Sequence, residues 1–206
     1  MFAIIGAGIT GCVLARALAE QGYPVVVFEA TQRAGGVAYQ GNYRTALSFH
    51  AEHFLTARTS LRWLGMECER KIFSPQCNWR YACRDLLLHK NISYWHSSPI
   101  YDLPLVKENF SLFFCAARLD WAFRGEYGLL SYISGFPVRS PDDLVLYTWY
   151  KEQVAALGGV CVGMGGLYKY MTIDECICHA LDIAREFGYL AIDKQQTMRI
   201  PIVGKR

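Results

Sequence analysis

Three glycines, Gly6, Gly8 and Gly11, stand in the order G-x-G-x-x-G. They separate a short β-prone run, Phe2 to Ile5, from a stretch in which Ile9, Val13, Leu14, Ala17 and Leu18 recur at helical spacing up to Gly22. A second apolar run, Pro24 to Phe28, ends in Glu29, twenty-one residues beyond Gly8. Strand, glycine turn, helix, and a second strand ending in an acid make the β-α-β unit that takes up a dinucleotide. Gly6 permits the tight turn, Gly8 lets a pyrophosphate approach the backbone, and Gly11 lets helix and strand pack closely. Ile9 and Thr10 open the helix, whose N-terminus would face the phosphates. Glu29 can accept hydrogen bonds from ribose hydroxyls, and its charge would repel a 2′-phosphate, which disfavours NADP.

The run that follows, Glu29-Ala-Thr-Gln-Arg33-Ala-Gly35-Gly36, fits E-x-x-x-R-x-G-G. It resembles the FAD-binding opening of the amine-oxidase and UDP-galactopyranose mutase superfamily. The resemblance implies FAD as cofactor, with Gly35, Gly36 and the adjoining Val37 along its pyrophosphate and Arg33 helping to hold the nucleotide half. Ala51-Glu-His53-Phe-Leu-Thr56 is similar to the mutase segment that carries two histidines near the flavin, but Glu52 and Leu55 stand at those two positions here. His53 is then the candidate for proton transfer beside the flavin ring, because an imidazole titrates near neutral pH.

A second stretch of resemblance runs from Val160 to Thr172. In the mutases a strand, a glycine, an arginine and a Tyr-Lys-Tyr run precede a helix whose N-terminus points at the flavin. Thr172-Ile-Asp-Glu175 is a capping box, so the first turn of that helix would present N–H groups and partial positive charge to the flavin N1 and O2 region. Gly163, Met164, Met171, Thr172 and Ile173 are therefore candidate cofactor contacts. Tyr168 and Tyr170, alternating on a strand, would line the substrate side, with Lys169 facing away, and the helix would run to Phe187 and stop at Gly188. Met164 stands where the mutases have arginine, Thr172 where they have aspartate, and Phe136 where a tyrosine before proline meets the substrate diphosphate.

The elements that must position these residues read as an α/β fold. The resemblance implies a Rossmann-like FAD-binding (GR2-type) domain with a small, reduced substrate subdomain. The expected organisation is a single domain over 1–206, with 1–56 and 110–187 as the flavin cradle and 58–109 as a reduced substrate or cap region. Between the cradle segments, a helix around Leu61 to Leu64 stops near Gly65, and Leu86 to Leu88 and Ile92 to Trp95 read as short β pieces. Phe110 to Ala117 reads as a strand. Ser140 caps a helix that has Pro141 at its first position and ends at Gly158-Gly159. The glycine run around Gly163 lacks G-x-G-x-x-G spacing, so no second site for NAD(P)H is visible. The helical insertion with which mutases close over a UDP-sugar has no room here.

Composition bounds the rest. Charged residues make up 19% of the 206 and apolar ones 52%, which excludes disorder. No uninterrupted apolar stretch is long enough to span a membrane, and the first residues lack a signal-peptide pattern. Eight scattered cysteines without a C-x-x-C pair suggest reduced thiols and a cytoplasmic protein, in the host cytoplasm if phage-encoded, with no metal site expected. Three functions are compatible with the reading: a FAD-dependent oxidase or lyase acting on a C–N bond of an amine, a reduced mutase acting on a nucleotide sugar, and a non-catalytic FAD-binding subunit. Compact flavoenzymes of this superfamily act in bacteriophage thymine hypermodification, which suggests an amino-acid-modified base in DNA as substrate. Residues 58–96 carry seven Lys and Arg against three acids, interleaved with Trp63, Phe73, Trp79, Tyr81, Tyr94 and Trp95, the mixture that tracks phosphates and stacks an extruded base. A homo-oligomer is a further expectation.

Overall fold

In the computed structural model all four residues of Phe2–Ile5 are buried, as a central strand covered on both faces requires. The structure describes residues 1–36, 79–96, 111–115, 127–133 and 136–197, together with 119, 123 and 125. Val37, His53 and the helix expected near Leu61 lie outside the described residues. In chain order the elements are β1 (Phe2–Ile5), α1 (Ile9–Glu20), β2 (Val25–Glu29), α2 (Trp79–Leu86), β3 (Ile92–His96), β4 (Ser111–Phe114), β5 (Tyr132–Ile133), β6 (Phe136–Pro137), α3 (Pro141–Ala156), β7 (Gly159–Cys161), α4 (Gly163–Gly166) and α5 (Ile173–Thr197).

Five strands form one sheet in the order β3-β2-β1-β4-β7, every neighbouring pair parallel. The winding reverses direction at β1, so the crevice beyond the carboxyl ends of β1 and β4 is the switch point at which open α/β sheets take ligands. Side chains alternate across the sheet with period two. Phe2, Ile4, Val25, Val27 and Phe113 meet α1, α2 and α5 through Val13, Leu14, Leu18, Cys83, Leu86, Ile177, Ala180 and Ala184. Ala3, Ile5, Val26 and Phe28 face the other way, onto Leu119, Leu130, Tyr150, Val154 and Tyr168. The Rossmann-like α/β architecture is thus the observed one.

Two expectations about the middle of the chain change. Leu86 ends α2, and Leu87 and Leu88 form the turn behind it, their N–H groups donating to Arg84 O and Asp85 O at 3.1 Å. Three consecutive leucines carry no period; here Leu86 and Leu87 are buried in the α1 layer and Leu88 is exposed. Residues 79–96, expected in a cap region, supply α2 and the strand β3 that pairs with β2, because Ile92 and Tyr94 pack on the same core as the glycine-turn helix.

α3 begins as expected: Ser140 Oγ accepts the Asp143 N–H at 3.1 Å and Pro141 opens the helix. α5 does not stop at Gly188 but continues to Thr197. A single internal glycine costs about 1 kcal/mol relative to alanine, too little to end a helix whose apolar face is docked, with the Phe187 ring 4.9 Å from that of Phe113. Among the described residues no helix is long and apolar enough to cross a membrane, and no cluster of potential metal ligands occurs. Cys12, Cys83, Cys115 and Cys176 are buried free thiols, and Cys178 is exposed.

Candidate functional site

The glycine turn joins β1 to α1 at the centre of the sheet. Gly6 has φ 102°, a left-handed conformation that favours glycine, and its N–H donates to Phe28 O at 2.7 Å. A Cβ at Gly11 would collide with the Gly6 carbonyl oxygen and come within 3.3 Å of Ile4 Cγ2. Both glycines are therefore required by the protein's own backbone. Gly8 is different. Its φ of −70° and ψ of −179° suit any residue, and a Cβ there would meet nothing within 4 Å among the described residues. That open space lies at the N-terminus of α1, which has no side-chain cap and no acid in its first turn. Uncapped N–H groups with the positive end of the helix dipole suit an anionic group.

Glu29 closes the next side of the site from the end of β2. The residue is buried, and its Oε2 accepts the Ala7 N–H at 2.7 Å, which ties it to the glycine turn. Oε1 accepts both the N–H and the hydroxyl of Thr31, each at 2.9 Å. The chain then folds back: the Gly35 N–H donates to Ala7 O at 2.7 Å, and Gly35 bridges Gly8 in parallel. Gly36, at φ 55°, lies so near the turn that its Cβ would stand 3.1 Å from Gly8 Cα. Gly35 has φ 122°, so both glycines of the pair hold backbone conformations that favour glycine, and the pair frames the space at Gly8. Arg33, from the same loop, is exposed.

The C-terminal half reaches the same place. Gly163 has φ 71°, and a Cβ on it would collide with Thr10 Oγ1 and stand 2.7 Å from Thr10 Cγ2. Thr10, buried beside Ile9 in the first turn of α1, also hydrogen-bonds the Cys176 thiol in the first turn of α5. Burial pushes that thiol up, and hydrogen bonds from Thr10 and the Met164 backbone offset part of the rise. Ile9 and Ile173 pack on one core. Thr172 and Glu175 form the expected reciprocal box: the Thr172 N–H donates to Glu175 Oε2 at 2.7 Å, and the Glu175 N–H to Thr172 Oγ1 at 3.2 Å. Gly163 thus lies directly against Thr10, the Thr172 carbonyl accepts the Cys176 N–H at 2.9 Å, and Met171 is half-buried just before the box.

Tyr168 and Tyr170 do not share a face. They follow α4 in a turn, and Tyr168 has φ 45°, so strand alternation does not apply. The Tyr168 side chain is fully buried, its hydroxyl 2.8 Å from Ser131 O and 2.6 Å from Val138 O. Burial, and then the charge of Asp143, push it up to about 12. Its position is a clamp between the β5–β6 ribbon and the sheet. Tyr170 is exposed, its ring 5.4 Å from that of Phe136, and Lys169 is exposed as well.

Thr31 and the Ala7 N–H were not singled out by motif, yet both hold the Glu29 carboxylate. A threonine two residues beyond a strand-ending acid is a turn former through its hydroxyl, which is the signal for the first; a backbone donor carries none.

The NAD(P)-binding Rossmann-like domain family matches residues 4–63, the segment that contains the glycine turn, Glu29 and the glycine pair. The chain has a Rossmann-like dinucleotide-binding fold. No curated protein sequence matches it. Among solved structures, histamine dehydrogenase from Rhizobium sp. 4-9 is 14% identical with a TM-score of 0.34, the match covering 94% of this chain and 27% of that one. The 6-hydroxypseudooxynicotine amine oxidase from Pseudomonas geniculata N1 is 16% identical with a TM-score of 0.33, covering 91% of this chain and 28% of that one. This chain spans little more than a quarter of the length of either protein.

Proposed function

We propose that this chain binds FAD and acts as a FAD-dependent oxidase or lyase on a C–N bond of an amine. The observation that carries the binding is Gly8: neither its backbone conformation nor its packing calls for glycine, and the open space before it faces an uncapped helix N-terminus. A pyrophosphate would lie there against the first-turn N–H groups of α1 and along Gly35, Gly36 and Val37. Glu29 would hold the adenosine ribose, and its buried charge opposes a 2′-phosphate. Arg33 would meet the nucleotide from outside, and the capped start of α5 would lie by the pyrimidine ring of the flavin.

When bound, the flavin would accept a hydride from the carbon next to nitrogen. His53 is the proposed group for moving the proton. Tyr170, which is exposed, is the proposed tyrosine on the substrate side, since the Tyr168 side chain is fully buried. The amine reading is favoured over a sugar-nucleotide one by Met164 and Phe136, which remove the groups a diphosphate would need. An amino-acid-modified base in DNA is the proposed amine. The exposed Arg84, Lys90 and Trp95 support that choice.

The test is reconstitution with FAD, NAD and NADP in parallel, followed by absorption spectroscopy and calorimetry. Yellow protein with tightly held FAD, and Gly8→Val protein that stays colourless, is the expected result. Colourless wild-type protein that cannot be reconstituted with FAD would overturn the reading.

A further inference from the structure

We propose that the Thr31 hydroxyl is an internal stand-in for a ribose hydroxyl: it occupies Glu29 Oε1 until a nucleotide displaces it, and so sets how tightly the site holds ribose. The proposal rests on the reading that Glu29 receives the ribose of a dinucleotide. A carboxylate offers about four acceptor positions, two on each oxygen. Oε1 already takes the N–H and the O–H of Thr31, and Oε2 takes the Ala7 N–H. One position, on Oε2, is left by these bonds. Two adjacent ribose hydroxyls need two, so the second must replace a bond already made.

Of the three donors, the Thr31 hydroxyl is the one that can leave without stranding a buried group. The Ala7 N–H is fixed by the glycine turn and buried, and the Thr31 N–H is fixed by the chain. The hydroxyl turns about a single bond, and a second acceptor stands ready: Thr31 Oγ1 is 3.0 Å from Arg33 O, against 2.9 Å from Glu29 Oε1. One proton cannot serve both. In the free protein the charged acceptor wins, because a hydrogen bond to a carboxylate is about twice as strong as one to a neutral carbonyl. When a ribose hydroxyl arrives at Oε1, the Thr31 proton turns to Arg33 O. Arg33 stands in the loop whose glycine pair packs on Gly8, so ribose capture reaches that loop through one hydroxyl. Thr31 is a positioning and specificity residue here. Its effect has a sign opposite to that of an ordinary structural contact, since removing the hydroxyl removes a competitor.

The experiment is calorimetric titration of wild-type, Thr31→Val and Thr31→Ser protein with ADP and with 2′,3′-dideoxy-ADP. Thr31 Oγ1 also accepts the Arg33 N–H at 3.4 Å, so thermal unfolding of Thr31→Val is measured beside the titration, and Thr31→Ser, which keeps the hydroxyl, serves as the conservative control. The expected result is that Thr31→Val binds ADP roughly 3- to 10-fold more tightly than wild type, the range for one displaced hydrogen bond. The gain should vanish with the dideoxy ligand, and Thr31→Ser should behave as wild type. Weaker ADP binding by Thr31→Val, or an equal change for both ligands, would show a merely structural role and overturn the proposal while leaving the dinucleotide reading intact. Wild-type protein that binds neither ADP nor FAD would remove that reading, and this proposal with it.

Discussion

Gly163 rests directly on Thr10: a Cβ on the glycine would stand 2.8 Å from Thr10 Cβ and closer still to the threonine's branches. The contact joins residues from opposite ends of the chain, the first turn of α1 and the start of α4. Through it the C-terminal half is registered against the glycine turn, and with it the capped start of α5. Gly163 also has φ 71°, in the left-handed region. Gly163→Ala should therefore lose about 2–4 kcal/mol of stability, combining overpacking with backbone strain. Urea unfolding measures it. A loss below about 0.5 kcal/mol would mean that Thr10 and α4 move apart freely, and that the two halves are not registered by this contact.

The second and third turn glycines can be separated by experiment. Gly11→Ala places a Cβ into the Gly6 carbonyl and should cost more than about 2 kcal/mol by forcing helix from strand. Gly8→Val places its side chain in open space at an ordinary backbone conformation and should change stability by no more than about 1 kcal/mol. Binding should respond the other way, with Gly8→Val folded but unable to hold FAD. Thermal unfolding and FAD titration of both variants check this. A Gly8→Val protein that binds FAD normally would place the pyrophosphate elsewhere.

The first β-α-β unit was readable because three levels agree there: apolar runs of period two and 3.6, glycines at turn positions, and an acid at the strand end. The N-cap at Ser140 and the capping box at Thr172 were readable because they are local, with donor and acceptor three residues apart. What was not legible depends on contacts distant in sequence. Nothing near Tyr168 announces that its hydroxyl faces the carbonyls of Ser131 and Val138, some thirty residues earlier. Nothing near Gly188 reveals that α5 is held along α1 and β4 strongly enough to pass through a glycine. At Leu86–Leu88 three leucines fit helix and strand equally, and burial against α1 decided between them.

Asp143 gives a pH dependence with a definite sign. Burial works against its carboxylate, but hydrogen bonds from the Ser140 hydroxyl and from the Ser131 N–H at 2.9 Å outweigh burial and hold the carboxyl below its ordinary value. A carboxyl depressed by folding contributes stability that is present above its unfolded value, near about 3.9, and is lost as pH falls through its folded value. Wild-type protein should therefore lose its advantage over Asp143→Asn as pH falls below about 4. Urea unfolding from pH 6 downward, about two units either side of that value, measures the difference. A gap between the two proteins that stays constant across the range would mean that the charge of Asp143 is not what these bonds stabilise.

The substrate proposal is testable through salt. Trp95, on the strand at the β3 edge of the sheet, is 56% exposed, so this aromatic is not turned into the core. Arg84 on α2 and Lys90 in the turn before β3 are exposed as well. Exposed cations can follow phosphates while an exposed indole stacks on a base extruded from the duplex, which a base-modifying flavoenzyme needs because its target atom is unreachable inside the stack. Contacts of this kind release counterions, so affinity for DNA should fall steeply as salt rises. Arg84→Glu should weaken binding across all sequences and lower the logarithmic salt slope by about one or more, whereas Trp95→Ala should weaken binding by roughly 1–3 kcal/mol with little change in slope. Fluorescence anisotropy with labelled single-stranded and duplex DNA, from low to moderate salt, reads both. Binding that is undetectable at low salt, or indifferent to salt, would leave a small-molecule amine as the substrate, since one bound in the crevice at the carboxyl ends of β1 and β4 needs no phosphate contact on α2 or β3.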